Sequence, residues 1–140
     1  MTLDNSQKII AVRLLLEKSD KNMEQATRIA DLGYWDLVAN RLYYAVFHAV
    51  NAMLLIDGIS VGTHKGTSIQ FGKSYILTGA FNRQDGILYG QLQTMREKAD
   101  YQNTFSLEEK EGRVLIEAAE ELRKKICNTV IEKLNLVNKN

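Results

Sequence analysis

The chain has 140 residues, of which 45% are hydrophobic and 25% charged, and its formal net charge is +1; this is the profile of one soluble globular domain. So small a charge excludes a polyanion-binding surface spread over the whole molecule and leaves room only for a local patch. The single cysteine, Cys127, excludes an internal disulfide framework and a cysteine-rich zinc site, and no apolar run is long enough to span a bilayer.

With no proline anywhere, the periodicity reads as helix almost throughout. Ile9, Val12, Leu16, Ser19, Met23, Ala26 and Ala30 step by four and three along one seam, which predicts a long first helix. Gly33 stands where that helix can end in a left-handed cap. The second helix, Tyr34 to Asp57, is apolar over most of its circumference and is expected at the centre, its start anchored by Trp35. Gly58 and Gly62 mark the following loop.

A shorter third helix, His64 to Leu77, carries Ile69, Phe71, Tyr75 and Ile76, and "TGAFN" turns the chain. A fourth presents Leu88, Leu92, Met95 and Ala99 on one stripe; Gly86 and Gly90 weaken it by about 1 kcal/mol each relative to alanine. "SLEE", Ser106 to Glu109, reads as a capping box opening a last helix, which buries Leu115, Ala118, Leu122, Ile126 and Val130. The final "NKN" is expected to fray. Together these elements predict an all-α fold, an antiparallel up-and-down helical bundle of four to five helices forming one domain over residues 1–140. No charged-then-apolar leader opens the sequence, so a cytoplasmic address is expected.

The stretch "NRLYYAVFH", Asn40 to His48, holds one of the two histidines seven residues after an arginine. At 100° per residue such positions nearly align, which puts Arg41, Tyr44 and His48 on one face with Asn40 and Asn51 beside them. An imidazole titrating near neutrality can move protons, and a guanidinium fork can hold a phosphate, which together suit metal-independent RNA cleavage by a 2′-hydroxyl. The structural alternative pairs Arg41 and His48 with acidic or amide groups of neighbouring helices or across a dimer. No spacing suits a metal or any other cofactor, so none is expected. "GTSIQFGKS" lacks both the spacing and the preceding strand of a P-loop.

Three further places bear on a ligand. In "REKADY", Arg96 and Asp100 can pair within their helix, or can turn with Tyr101 toward the polar sector of the second helix. His64 in "GTHKG" sits at a helix start, where it can cap or reach the Arg41 face. No acidic residue lies between Asp57 and Asp85, while His64, Lys65, Lys73 and Arg83 all do, which makes either a phosphate-holding patch or a solvated face.

The order and spacing of "ANRLYYAVFHAVNAMLLIDG", "THKG", "FGKSYILTG" and "MREKADYQN" resemble the HEPN family, in particular the small stand-alone members encoded beside minimal nucleotidyltransferases. What the resemblance implies is an antiparallel helical bundle, usually a homodimer; the lack of a long apolar run already argues against a membrane partner. Many members are ribonuclease toxins with an Arg–x(4–6)–His motif facing its copy across the dimer cleft, and a nucleotidyltransferase-type partner protein can serve as antitoxin. Others bind nucleotides or dock partners. In the family the motif lies late in the bundle; here Arg41 to His48 keeps its spacing in an earlier helix, and Arg96 to Asn103 holds no histidine. Taken together, the polar face and the local charge pattern make Arg41, Tyr44 and His48 the expected catalytic residues, and His64, Lys65, Lys73, Arg96, Asp100 and Tyr101 the expected binders of RNA or a nucleotide.

Overall fold

The computed structural model describes residues 3–102 and 105–139. Five α-helices run in the order α1 (Asn5–Asp31), α2 (Trp35–Ile56), α3 (His64–Phe71), α4 (Arg83–Tyr101) and α5 (Glu109–Lys139), with a π-helical turn, Gly72–Ile76, directly after α3. The described residues form no strand, and no helix among them is long and apolar enough to cross a membrane. Helix α5 runs to Lys139, through most of the tail expected to fray; Asn140 lies outside the described residues.

The first seam is occupied as its spacing predicts: Val12, Ser19, Met23, Ala26 and Ala30 are the buried residues of α1. At its end Gly33 adopts φ +79°. Its N–H donates to the Ala30 carbonyl at 3.0 Å, while the Tyr34 N–H reaches the Ile29 carbonyl at 3.4 Å. This pairing of the last carbonyls needs the left-handed conformation that glycine adopts without a Cβ penalty. The chain then reverses into α2 within three residues.

Helix α2 is the hub and packs against α1, α4 and α5. It buries twelve residues, Val38, Ala39, Leu42, Tyr43, Ala45, Val46, Ala49, Val50, Ala52, Met53, Leu54 and Ile56. Small Ala45 leaves room for α1 to meet the α2 backbone. The Ser19 hydroxyl, fully buried, donates to the Ala45 carbonyl at 2.6 Å, and Asn22 faces Arg41, so the two helices run antiparallel. Contacts of Asn40 with Asp100 and of Tyr43 with Arg96 make α4 antiparallel to α2 as well. Helix α5 runs parallel to α2, meeting Trp35 at its start and Asp57 near its end. The result is the expected up-and-down bundle. Replacing Ser19 by alanine is expected to lower stability by about 1 kcal/mol, the net worth of one buried hydrogen bond, measurable as a shift in the urea midpoint at unchanged slope.

Three local expectations shift. The third helix does not run to Leu77 as one α-helix: the Leu77 N–H bonds to the Gly72 carbonyl, five residues back, at 2.9 Å. The widened turn keeps Phe71 and Tyr75 in the core while Ile69 stays largely exposed. On α4 the buried stripe is Asp85, Tyr89, Leu92 and Arg96; Leu88, Met95 and Ala99 sit half-buried beside it. Tyr89 packs at a tilt against Phe71 and Tyr43, and burying that larger ring turns the helix away from its aliphatic stripe. Asp85 is partnered by Lys125 of α5. Finally, α5 starts at Glu109, with the Gly112 N–H on the Glu108 carbonyl at 2.8 Å. Ser106 therefore precedes the cap position by two residues, and Leu107 after it is buried. Ala119, rather than Ala118, is the buried alanine of α5, in line with Leu122, Ile126, Val130 and Leu134.

Candidate active site

The polar sector of α2 faces the α1–α3–α4 side of the bundle, and its members meet different partners. Arg41 is half-buried, and its Nη1 donates to Asn22 Oδ1 of α1 at 3.4 Å. The Asn40 amide donates to Asp100 of α4 at 3.3 Å. Further along, the Thr67 hydroxyl donates to the Asn51 side-chain oxygen at 2.9 Å, which ties α3 to α2. These three residues are thus partly absorbed by neighbouring helices, as the structural alternative expects.

His48 is not. Its Nδ1 is buried and finds no hydrogen-bond partner among the described residues. Burial, followed by the charges of Lys18 on α1 and of His64, holds its imidazole below the ordinary range, so the neutral, proton-accepting form is favoured near pH 7. Its ring lies 5.9 Å from that of Tyr44 and 5.5 Å from that of Phe47, centroid to centroid.

The second histidine joins the same aromatic group. His64, the first residue of α3, is preceded by Thr63, whose hydroxyl caps the helix by accepting from the Gly66 N–H at 2.8 Å. That cap orients the start of α3 and turns His64 toward α2. There its Nδ1 lies 2.7 Å from the Tyr43 hydroxyl. Phe47 stacks on the imidazole at 4.4 Å with 24° between planes, and Tyr44 meets it edge-on at 5.8 Å. Burial, then the charge of Arg96, lowers the His64 pKa, while Glu97 opposes the shift.

Arg96 closes the group from α4. It is only 8% exposed, with its guanidinium carbon 5.0 Å above the Tyr43 ring and 5.9 Å from the Tyr44 ring. Its Nη1 is 3.6 Å from Asp100, and its Nε is buried without a partner among the described residues. The pair with Asp100 is therefore not the exposed surface bridge that its spacing suggests. Arg96 is a desolvated cation stacked on tyrosine, an arrangement worth about 0.5–2 kcal/mol.

Of the residues singled out for binding, the fold gathers His64, Arg96 and Asp100 around the α2 sector. Lys65 and Lys73 point to solvent, and Tyr101 is 80% exposed. A crevice of about 600 Å³ adjoins the cluster. Phe47, Asn51 and Leu55 of α2, Lys8 and Leu15 of α1, the loop 58–63, His64 and Thr67 line it; Arg41, Tyr44 and His48 do not. Tyr43 and Phe47 went unnoticed in the sequence because nothing distinguishes them there from core aromatics. The Thr63 cap was the one legible sign of where His64 would point.

Comparison with known proteins agrees with this architecture. The model of the HEPN domain matches residues 12–130. Two Methanocaldococcus jannaschii proteins, each named "Putative toxin", are similar to the chain. One is 28% identical over 102 residues, 73% of this chain and 69% of its own length; the other is 30% identical over 108 residues, 76% and 80% respectively. A Thermotoga maritima "UPF0332 protein" is 35% identical over 81 residues, 58% of this chain and 61% of its own length.

Proposed function

The chain belongs to the HEPN domain family, and on that premise we propose that it is a toxin-type, metal-independent endoribonuclease. It acts as a homodimer paired with a nucleotidyltransferase-type partner protein in a toxin–antitoxin module. The names of the two Methanocaldococcus relatives support the toxin assignment. In this reading His48 takes the proton of an RNA 2′-hydroxyl, Arg41 holds the scissile phosphate and Tyr44 orients the two.

The observation that carries the reading is the buried Nδ1 of His48, which has no hydrogen-bond partner among the described residues. Leaving a buried polar group without a partner costs about 1–3 kcal/mol, and a purely structural sector would have paired it, as Asn51 is paired by Thr67. Among the described residues Arg41 makes one hydrogen bond, a long one at 3.4 Å, and can swing to an incoming phosphate.

The experiment is RNA cleavage by the purified protein in EDTA, comparing wild type with Arg41→Ala. Cleavage is expected to persist in the chelator and to fall by about 10- to 100-fold in the variant, the loss of one charge-assisted phosphate contact of roughly 1.5–3 kcal/mol. Cleavage that disappears with EDTA, or that is indifferent to Arg41, sinks the assignment. A second reading has a specific observation behind it: the crevice beside His64 suits a non-catalytic module that binds a nucleotide or docks the partner. It predicts no cleavage, with measurable nucleotide binding that weakens in Lys8→Ala, the lysine that lines the crevice.

A further inference from the structure

The proposed reaction needs two proton movements. When the 2′-oxygen attacks phosphorus, the departing 5′-oxygen must gain a proton, and a guanidinium that never deprotonates cannot supply it. His64 is built for that task. Phe47 stacks on its ring, Tyr44 abuts its edge and the Tyr43 hydroxyl holds its Nδ1, so Nε2 is its free nitrogen. The same two rings join it to His48: Tyr44 lies 5.8 Å from His64 and 5.9 Å from His48, and Phe47 lies 4.4 and 5.5 Å away, centroid to centroid. Tyr43 itself is fully buried and fixed from behind by Arg96 and Tyr89. A hydroxyl both donates and accepts, so Tyr43 can hold the same imidazole orientation whether Nδ1 is bare or protonated.

From this geometry we infer that His64 is a second proton-transfer residue of the site, the general acid that complements His48, and that Tyr43 is its positioning residue. The inference rests on the ribonuclease reading above. In the step, His48 removes the 2′-hydroxyl proton and the 2′-oxygen bonds to phosphorus. The bond from phosphorus to the 5′-oxygen breaks, and the proton on His64 Nε2 passes to that oxygen. The products are a 2′,3′-cyclic phosphate and a 5′-hydroxyl.

Surrounding charges divide the roles. His48 faces Lys18 of α1 and the other imidazole, both of which oppose a proton on it. His64 faces Arg96 of α4, which opposes a proton on it, and Glu97, a carboxylate that favours one and that His48 lacks. The base is active above its pKa and the acid below its own, and burial holds both beneath the ordinary imidazole value. The optimum for cleavage is therefore expected on the acid side of about 6.5.

The test compares RNA with a ribonucleoside 3′-(4-nitrophenyl phosphate), whose nitrophenolate leaves without being protonated. His64→Ala, and the milder His64→Gln, are expected to lose about 10²- to 10³-fold on RNA but under about tenfold on the activated ester. Tyr43→Phe is expected to show the same selective loss at smaller size, about tenfold on RNA. Equal losses on both substrates would mean that His64 only supports the fold, and no loss would mean that it is idle; either overturns the inference alone if the wild type cleaves and needs His48. A wild type that cleaves neither substrate overturns the ribonuclease reading and this inference with it.

Discussion

Replacing His48 by alanine is expected to reduce RNA cleavage by about 10²- to 10⁴-fold, the range that a positioned proton-transfer group contributes, while leaving the protein at least as stable as wild type. The combination is unusual for a residue at the edge of a core and follows from its surroundings. Because the Nδ1 atom makes no hydrogen bond among the described residues, alanine forfeits no polar contact and removes a desolvation cost; the lost ring contacts with Tyr44 and Phe47 work in the opposite direction. The pH dependence separates the two. A histidine whose folded pKa is depressed binds its proton more tightly in the unfolded chain. Its contribution is complete above about 6.5 and is lost as pH falls through that value toward the lower folded one. Wild-type stability should accordingly decline between about pH 7 and pH 5, and His48→Ala should flatten part of that slope. His64, depressed for similar reasons, supplies the rest. Thermal midpoints across this pH range, measured alongside cleavage, check both halves; a variant that unfolds more easily at every pH and cleaves normally would show His48 to be a packing residue.

A single added carbon on α5 should be felt throughout the bundle. At Gly112 a Cβ would stand 2.4 Å from Cζ3 and 2.5 Å from Cε3 of Trp35, far inside van der Waals contact. Trp35 cannot easily retreat: the Arg113 guanidinium lies 5.4 Å from its ring, and Arg113 is in turn tied to Asp31 at 3.3 Å. Overpacking of this kind costs about 1–3 kcal/mol, and the better helix propensity of alanine returns at most about 1 kcal/mol. Gly112→Ala is expected to lower the thermal midpoint by several degrees. Combining it with Trp35→Leu should recover part of the loss, a coupling that a double-mutant cycle reads directly. If the single variant is as stable as wild type and the cycle shows no coupling, α2 and α5 do not meet in this way.

Much of the architecture was legible because it depends on periodicity. The seam of α1, the apolar girth of α2 and Gly33 each answer to one local rule, and the structure follows all three. Legibility ends where a side chain's volume or a distant partner decides. Tyr89 and Arg96 displace the aliphatic stripe of α4 because the rings of α2 await them, and no window of α4 alone contains that information. Capping shows the same limit. Asp4 with Gln7, and Asn82 with Asp85, form reciprocal capping boxes, whereas "SLEE" has the composition for one but α5 starts only at its last residue, Glu109. For the site, spacing found Arg41, Tyr44 and His48 as a sector. It had no means of seeing that Tyr43, next to that sector, reaches across 21 residues to His64.

The close seat of the indole on Gly112 also makes the chain its own optical gauge. Trp35 is the only tryptophan, and its emission reports on one joint, where the beginning of α2 meets the beginning of α5. Fluorescence should redden as that joint parts, whatever happens around the histidines. Oligonucleotide titrations can therefore be followed by tyrosine or imidazole signals while the indole stays silent, and any ligand that does change it is prising helices apart.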